Sequence, residues 1–200
     1  MIVDDLELLE RWRQGDKGSE KQLLERYFPL LYRFFSNKVP VDVDDLVQKT
    51  MVALVSGRDR FEGRSTFRAY LLSIARFQLY EHVRQRKRSS EVIEYDSVSA
   101  FDLSPSPSAL AAARRDQQLM LEALRRIPLN FQIALELHYW EDMNGPELAE
   151  ALGIPVDTVY SRLRKARELV KKHMRMLLGP PSSSGGQADV WATLRSIQKS

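Results

Sequence analysis

Apolar residues recur every three to four positions along most of the chain, which predicts helix almost throughout. Leu6, Leu9 and Trp12 mark a first amphipathic stripe, and Leu23, Leu24, Tyr27, Leu31 and Phe34 a second. Pro29 falls inside the second stripe. It has no N–H to give the helical ladder, so a kink or a split is expected there. Residues 43–55 predict a third helix, with Leu46, Val47, Met51 and Leu54 on one side. Residues 65–88 predict a fourth, capped by Ser65 or Thr66, with Leu71, Leu72, Ile74, Ala75 and Leu79 on its apolar face. No stretch alternates apolar and polar residues as a strand would. The expected fold class is all-α.

The periodicity stops at residues 89–110. SSEVIEYDSVSAFDLSPSPSAL is punctuated by Ser and Pro, and its charges (Glu91, Glu94, Asp96 and Asp102) are all acidic. Such a segment predicts an extended, flexible linker between two small helical domains. The expected boundaries are 1–90 for the first domain, 91–110 for the acidic linker and 111–178 for the second domain, with a tail over 179–200. The tail opens on Pro, Ser and Gly and closes on Val190, Trp191, Leu194 and Ile197, at the spacing of a short amphipathic helix. That spacing motivates the hypothesis that the tail acts on the protein in cis.

The second domain carries the sharpest local pattern. Asn144 with Glu147 three residues on has the form of a capping box, and Pro146 suits the first turn of a helix. Leu148, Ala149 and Leu152 face inward, Gly153 makes a tight turn, Ile154 plugs the core, and Pro155 opens another helix. Along that helix Val159, Leu163, Ala166 and Val170 repeat at packing distance, while Asp157, Thr158, Ser161, Arg164 and Lys165 lie on the other side. A short helix, a glycine turn and a polar-to-basic helix form a helix-turn-helix. Its second helix would enter the major groove of duplex DNA with its first turns. A plain helical hairpin would not require so many bases at the end of the second helix.

Composition narrows the function. The chain has no cysteine, which excludes disulfides and thiolate metal sites. No apolar run approaches the ~20 residues of a membrane span, and the acidic, amphipathic N-terminus does not read as a signal peptide. The formal net charge is only +3, but the bases cluster at Arg84–Arg88 and again from Arg162 to Arg175. Two separate basic patches suit a polyanion gripped at two places. Its three histidines (His82, His138 and His173) fall in no metal-ligand spacing, and no nucleophile elbow or phosphate loop is present, so no enzyme is expected.

With these residues in view, MNGPELAEALGIPVDTVYSRLRKARELV resembles the promoter-reading domain of bacterial sigma-70-family factors of the extracytoplasmic-function (ECF) type. DVDDLVQKTMVALV followed by FEGRSTFRAYLLSIARFQLYEHVRQRKR is similar to the core-binding and promoter-melting domain of the same family. The two blocks stand in the family's order and together span residues 5–175. The domain that larger sigma factors carry between them has no room here, which is the ECF pattern.

The resemblance implies a factor that brings core RNA polymerase to a promoter class, helps melt the DNA and then leaves. It implies docking of Asp44, Asp45, Leu46, Gln48 and Lys49 on the clamp helices of the largest subunit, with the second domain held at the flap of the second subunit. Lys49 departs from the family, which usually has Glu there. For the −10 element it implies Arg64, Phe67, Arg76, Phe77, Tyr80, Arg84, Arg86, Lys87 and Arg88, with a base-capturing pocket in the loop from Asp59 to Thr66. Phe77 stands where the family commonly has Asn. For the −35 element it implies Thr158, Tyr160, Ser161, Arg162, Arg164 and Lys165, Tyr160 replacing a residue that is often basic. The acidic linker would thread the polymerase's active-site cleft. The family logic adds an anti-sigma partner, no cofactor and no metal, no membrane insertion, and a cytoplasmic place on the nucleoid. The alternatives are a one-component helix-turn-helix regulator and an adaptor that mimics these folds.

Overall fold

The computed structural model describes residues 3–86, 98–100, 115–178 and 190–197. Among them every named element is helical.

Four helices build the N-terminal unit. Helix α1 (Asp5–Arg13) starts where the Asp4 carboxylate accepts the Leu6 N–H at 3.2 Å. Leu8, Leu9 and Trp12 are its buried residues, whereas Leu6, expected on the same stripe, is half exposed. Helix α2 (Lys17–Ser36) runs unbroken through Pro29, so the helix is not split there. Pro29 lies on the exposed side of the helix. Glu25, whose carbonyl loses its helical partner to the proline, is an exposed residue as well, and a carbonyl on that side can be satisfied by solvent. Helix α3 (Val43–Gly57) follows Asp42, whose φ of 66° is left-handed and whose side chain caps nothing. Helix α4 (Phe67–Arg86) begins with the Thr66 hydroxyl accepting the Ala69 N–H at 3.2 Å. Trp12, Leu23, Leu31, Phe35, Leu46, Leu54, Leu71 and Leu72 fill the space between these helices.

The C-terminal unit stacks α5 (Arg115–Arg125), α6 (Leu129–Tyr139), α7 (Gly145–Leu152) and α8 (Val156–Leu178). A short helix, α9 (Val190–Ile197), packs on α5. Helix α6 is buried almost all round, including Asn130, Gln132 and Glu136. An all-buried helix belongs in the middle of a packed body.

Residues 98–100 differ from the extended linker expected over 91–110. Val98 and Ala100 are buried, and the Val98 carbonyl accepts the Leu129 N–H at 2.8 Å. Ser99 forms an isolated antiparallel bridge with Pro128. Burial against the C-terminal unit removes these two apolar side chains from water, which is favourable. The remainder of that linker lies outside the described residues.

The two units are in contact. Helix α4 packs along α7, and the C-terminal end of α2 meets α6. At the second seam the fully buried Lys38 ammonium is paired with the Glu136 carboxylate and donates to the Phe34 carbonyl at 2.6 Å. Asn37 and Gln132 also donate to Glu136, at 2.6 and 2.8 Å, and Arg125 donates to the Asn37 carbonyl at 2.9 Å. Arg33 reaches Glu141 at 2.6 Å on the rim.

Candidate nucleic-acid interface

The turn between α7 and α8 is built as its sequence dictates. The Asn144 side chain accepts the Glu147 N–H at 3.1 Å, and Glu147 in return accepts the Asn144 N–H at 3.0 Å. This reciprocal pair fixes the start of α7. Gly153 closes the helix at φ 62°, a left-handed value that any Cβ would strain. Ile154 then sits partly buried against the core, and the chain turns into α8.

Helix α8 is amphipathic along its whole length. Val159, Leu163, Ala166, Val170 and Met174 are buried. Thr158, Tyr160, Ser161, Arg164 and Lys165 are exposed, and Arg162 is half-buried. The inward stripe therefore fixes the helix while a polar and basic face stays in water. Ser161 donates its hydroxyl to the Thr158 carbonyl at 2.9 Å, which leaves its oxygen free to accept. Tyr160 leans over the start of α7, where a Cβ placed on Gly145 would come within 2.5 Å of its hydroxyl. Arg167 serves a different purpose: its Nε donates to the Tyr139 hydroxyl at 3.0 Å.

The second basic region is more engaged. Arg64 is exposed and paired with Glu62. Phe67 is a correction: at 2% exposure it is a core residue, packed on Phe61 and Tyr27, because a ring at the first turn of α4 points into the bundle. Phe61 and Tyr70 face each other with centroids 5.0 Å apart beside the loop that leads into α4. Phe77 is 60% exposed, whereas Tyr80 is half-buried beneath the Arg76 guanidinium. Arg76 does not face open solvent either: its Nε donates to the Ala151 carbonyl of α7 at 3.2 Å. Arg84 pairs with Glu81 and Arg86 with Asp42, at 2.5 and 2.9 Å. Lys87 and Arg88 lie outside the described residues. His82 stands beside Asp42 in this cluster, and burial, aided by Arg86, pushes its pKa below the ordinary value.

On α3, Asp44, Asp45, Gln48 and Lys49 share one exposed face. Lys49 is tied to Asp45 at 2.7 Å, one helical turn back. Leu46 is the second correction: it is 1% exposed and belongs to the core, so it can support a docking face but not present one. The buried network around Lys38 and Glu136 has no counterpart among the residues nominated from sequence. Its signal was present, in that Asn130, Gln132 and Glu136 interrupt an otherwise apolar helix.

Family comparison agrees with this layout. Residues 23–89 match the family model for Sigma-70 region 2, and residues 117–170 match that for Sigma-70 region 4. The ECF RNA polymerase sigma-E factor of Haemophilus influenzae is 26% identical over 188 residues, covering 88% of this chain and 98% of that protein. Its Escherichia coli K12 counterpart is 26% identical over 185 residues, with 88% and 97% covered. Among solved structures, the sigma factor RpoE bound to the anti-sigma factor NepR from Bartonella quintana superposes with a TM-score of 0.60 at 25% identity, covering 78% of this chain and 96% of that one. CnrH in complex with the cytosolic domain of CnrY shares the fold, with a TM-score of 0.58 at 24% identity over 86% of this chain and 97% of that one. With regions 2 and 4 in order, a helix with an outward polar and basic face on the second and a basic, aromatic helix on the first, the chain belongs to the sigma-70 family as an ECF sigma factor.

Proposed function

We propose that this factor reads a promoter with α8 at the −35 element and with the loop before α4, together with α4 itself, at the −10 element. The observation that carries the reading is the outward face of α8. Thr158, Ser161, Arg164 and Lys165 have no packing role, because the buried stripe on the opposite side already holds the helix. Hydroxyls and a guanidinium at this place can bond base edges, and Lys165 with Arg162 can hold phosphates. At the −10 element Phe77 is an exposed aromatic and Arg64, Arg84 and Arg86 are exposed basic groups, and the loop from Asp59 to Thr66 would receive an unstacked base.

The acidic face of α3 (Asp44, Asp45, Gln48) would dock on the basic clamp helices of the largest polymerase subunit. Lys49, already neutralised by Asp45, would sit at the edge of that contact. The C-terminal unit would be held at the flap of the second subunit, and the acidic part of the segment between the units would run through the active-site cleft. No step of chemistry falls to this chain. The complex of the Bartonella quintana sigma factor RpoE with the anti-sigma factor NepR supports an anti-sigma partner for this protein too. No helix among the described residues is long and apolar enough to cross a membrane, and the proposed work places the chain with polymerase on the nucleoid.

Reading both elements requires the units to part. Their names set the two elements about 25 base pairs apart, roughly 85 Å of duplex at 3.4 Å per step, whereas α4 and α7 touch.

The test is promoter binding by the polymerase holoenzyme on a set of −35 variants. Arg164→Ala and Ser161→Ala should each cost ~1–3 kcal/mol and relax selectivity at one base pair. Lys165→Ala should weaken binding to all sequences alike and flatten the salt dependence. Unchanged −35 selectivity in Arg164→Ala would reject its assignment.

A further inference from the structure

The C-terminal helix α9 lies outside both matched family regions, yet it is firmly seated. Leu194 is fully buried. The Trp140 indole N–H donates to the Leu194 carbonyl at 2.9 Å. That carbonyl is one of the last four of α9, which have no partner within their own helix. Trp191 stacks on Tyr139 with centroids 5.5 Å apart and planes 9° from parallel. The Lys171 ammonium stands 5.8 Å from the centroid of Trp191, and the Arg195 guanidinium 5.8 Å from that of Tyr139. These contacts define a groove on α5, α6 and α8, shaped for one amphipathic helical turn or two.

The residue that anchors α9 also belongs to the seam between the units. Trp140 is 5% exposed and lines a narrow crevice with Leu30, Arg33 and Phe34 of α2. Glu136 and Glu141, the acids that receive Lys38 and Arg33, line the same crevice. One side chain therefore bonds the tail through its indole N–H and lines the crevice that faces the opposite unit. An eight-residue helix is too short to persist alone in water, so α9 keeps its shape only while it is docked.

We propose that α9 is a cis-acting strap: by holding Trp140 it stabilises the closed pairing of the two units, and its release frees them to part. The proposal rests on the reading above only for its consequence in promoter recognition; the strap itself is a property of the free chain.

The test uses the full chain with a donor and acceptor dye on Glu25→Cys and Glu168→Cys, both exposed and away from the seam; there are no native cysteines to interfere. In this background Leu194→Asp should undock α9 and lower energy transfer, with helix content by circular dichroism falling by no more than the eight residues of α9. A synthetic peptide of residues 187–200, added to the Leu194→Asp chain, should restore the transfer. The same peptide carrying fluorescein should bind the Leu194→Asp chain by anisotropy, and bind the unaltered chain at least about tenfold more weakly, because a tethered helix competes at millimolar effective concentration. Trp140→Phe keeps an aromatic side chain but removes the N–H donor, and should weaken peptide binding. Transfer that stays the same in Leu194→Asp, or a peptide that binds neither chain, would overturn the strap. Neither readout involves polymerase or DNA, so that outcome would leave promoter recognition standing.

Discussion

Lys38 and Glu136 sit opposite each other with water excluded, one from each unit. Burial pulls the pKa of the Lys38 ammonium down, and the adjoining Glu136 carboxylate opposes that pull. A pair of this kind gives specificity more than strength, since two desolvations offset one attraction. Removing one partner is another matter, because it strands a buried charge at a cost of ~3–5 kcal/mol. In Lys38→Ala the cheapest relief is to part the units and wet Glu136. We therefore expect small-angle scattering to show a larger radius of gyration with helix content unchanged. The double variant Lys38→Met/Glu136→Leu should return to the compact form. A compact Lys38→Ala with unaltered melting would contradict this account of the seam. His82 makes a second prediction at this scale. Its folded-state pKa lies below the ordinary 6.5, chiefly through burial. Above that pH the histidine is neutral whether folded or unfolded, and it adds no pH dependence. Below it the unfolded chain takes up the proton first, so stability falls with pH until the folded-state pKa is passed. His173 is shifted the same way by burial and adds to the slope. Thermal melts should show a lower midpoint at pH 5 than at pH 7.5, and His82→Gln should reduce the difference.

At the scale of the element, the helix-turn-helix was legible in the sequence because its determinants are local. Asn144, Glu147 and Gly153 act on residues within a turn or two of themselves, and the structure shows them doing so. Asn144→Ala should cost about 1 kcal/mol, as the loss of an N-cap does, read as a lower midpoint in denaturant. Gly145→Ala should cost less than that, because its Cβ would meet the Tyr160 hydroxyl at 2.5 Å but this is the far end of an exposed side chain that can swing off α7; a larger loss in the denaturant midpoint would show that Tyr160 is held there. The apolar faces of α3 and α8 were equally legible. Pro29 was not, because a proline's effect depends on whether the orphaned carbonyl faces water, and that is a tertiary fact. Phe67 and Leu46 misled for a related reason. A motif match gives a residue's place in the chain, whereas burial depends on which side of the helix meets the bundle.

The whole molecule is where sequence reasoning saw least. It expected two units joined by an extended acidic linker. Instead Val98 and Ala100 bury themselves in the C-terminal unit, and the units close on each other through α4 with α7 and α2 with α6. Contacts between residues as distant as 38 and 136 leave no periodic trace, only polar residues at apolar positions of α6. The closed form engages Arg76 with α7, so part of the basic face expected at the −10 element is turned inward, and beside it Arg68 pairs with Glu147 at 3.7 Å. A partly buried pair held at 3.7 Å is worth little by itself. Polymerase and DNA, which offer Arg76 and Arg68 phosphates in place of a carbonyl and a carboxylate, can compete for them. The central claim is that this chain directs core RNA polymerase to particular promoters. Run-off transcription with purified core polymerase and a genomic fragment library, followed by sequencing of the transcript starts, tests it directly. The account predicts starts that appear only when the protein is added and that share spaced −35 and −10 elements. Transcripts with no dependence on the protein, or with no common elements upstream, would contradict it.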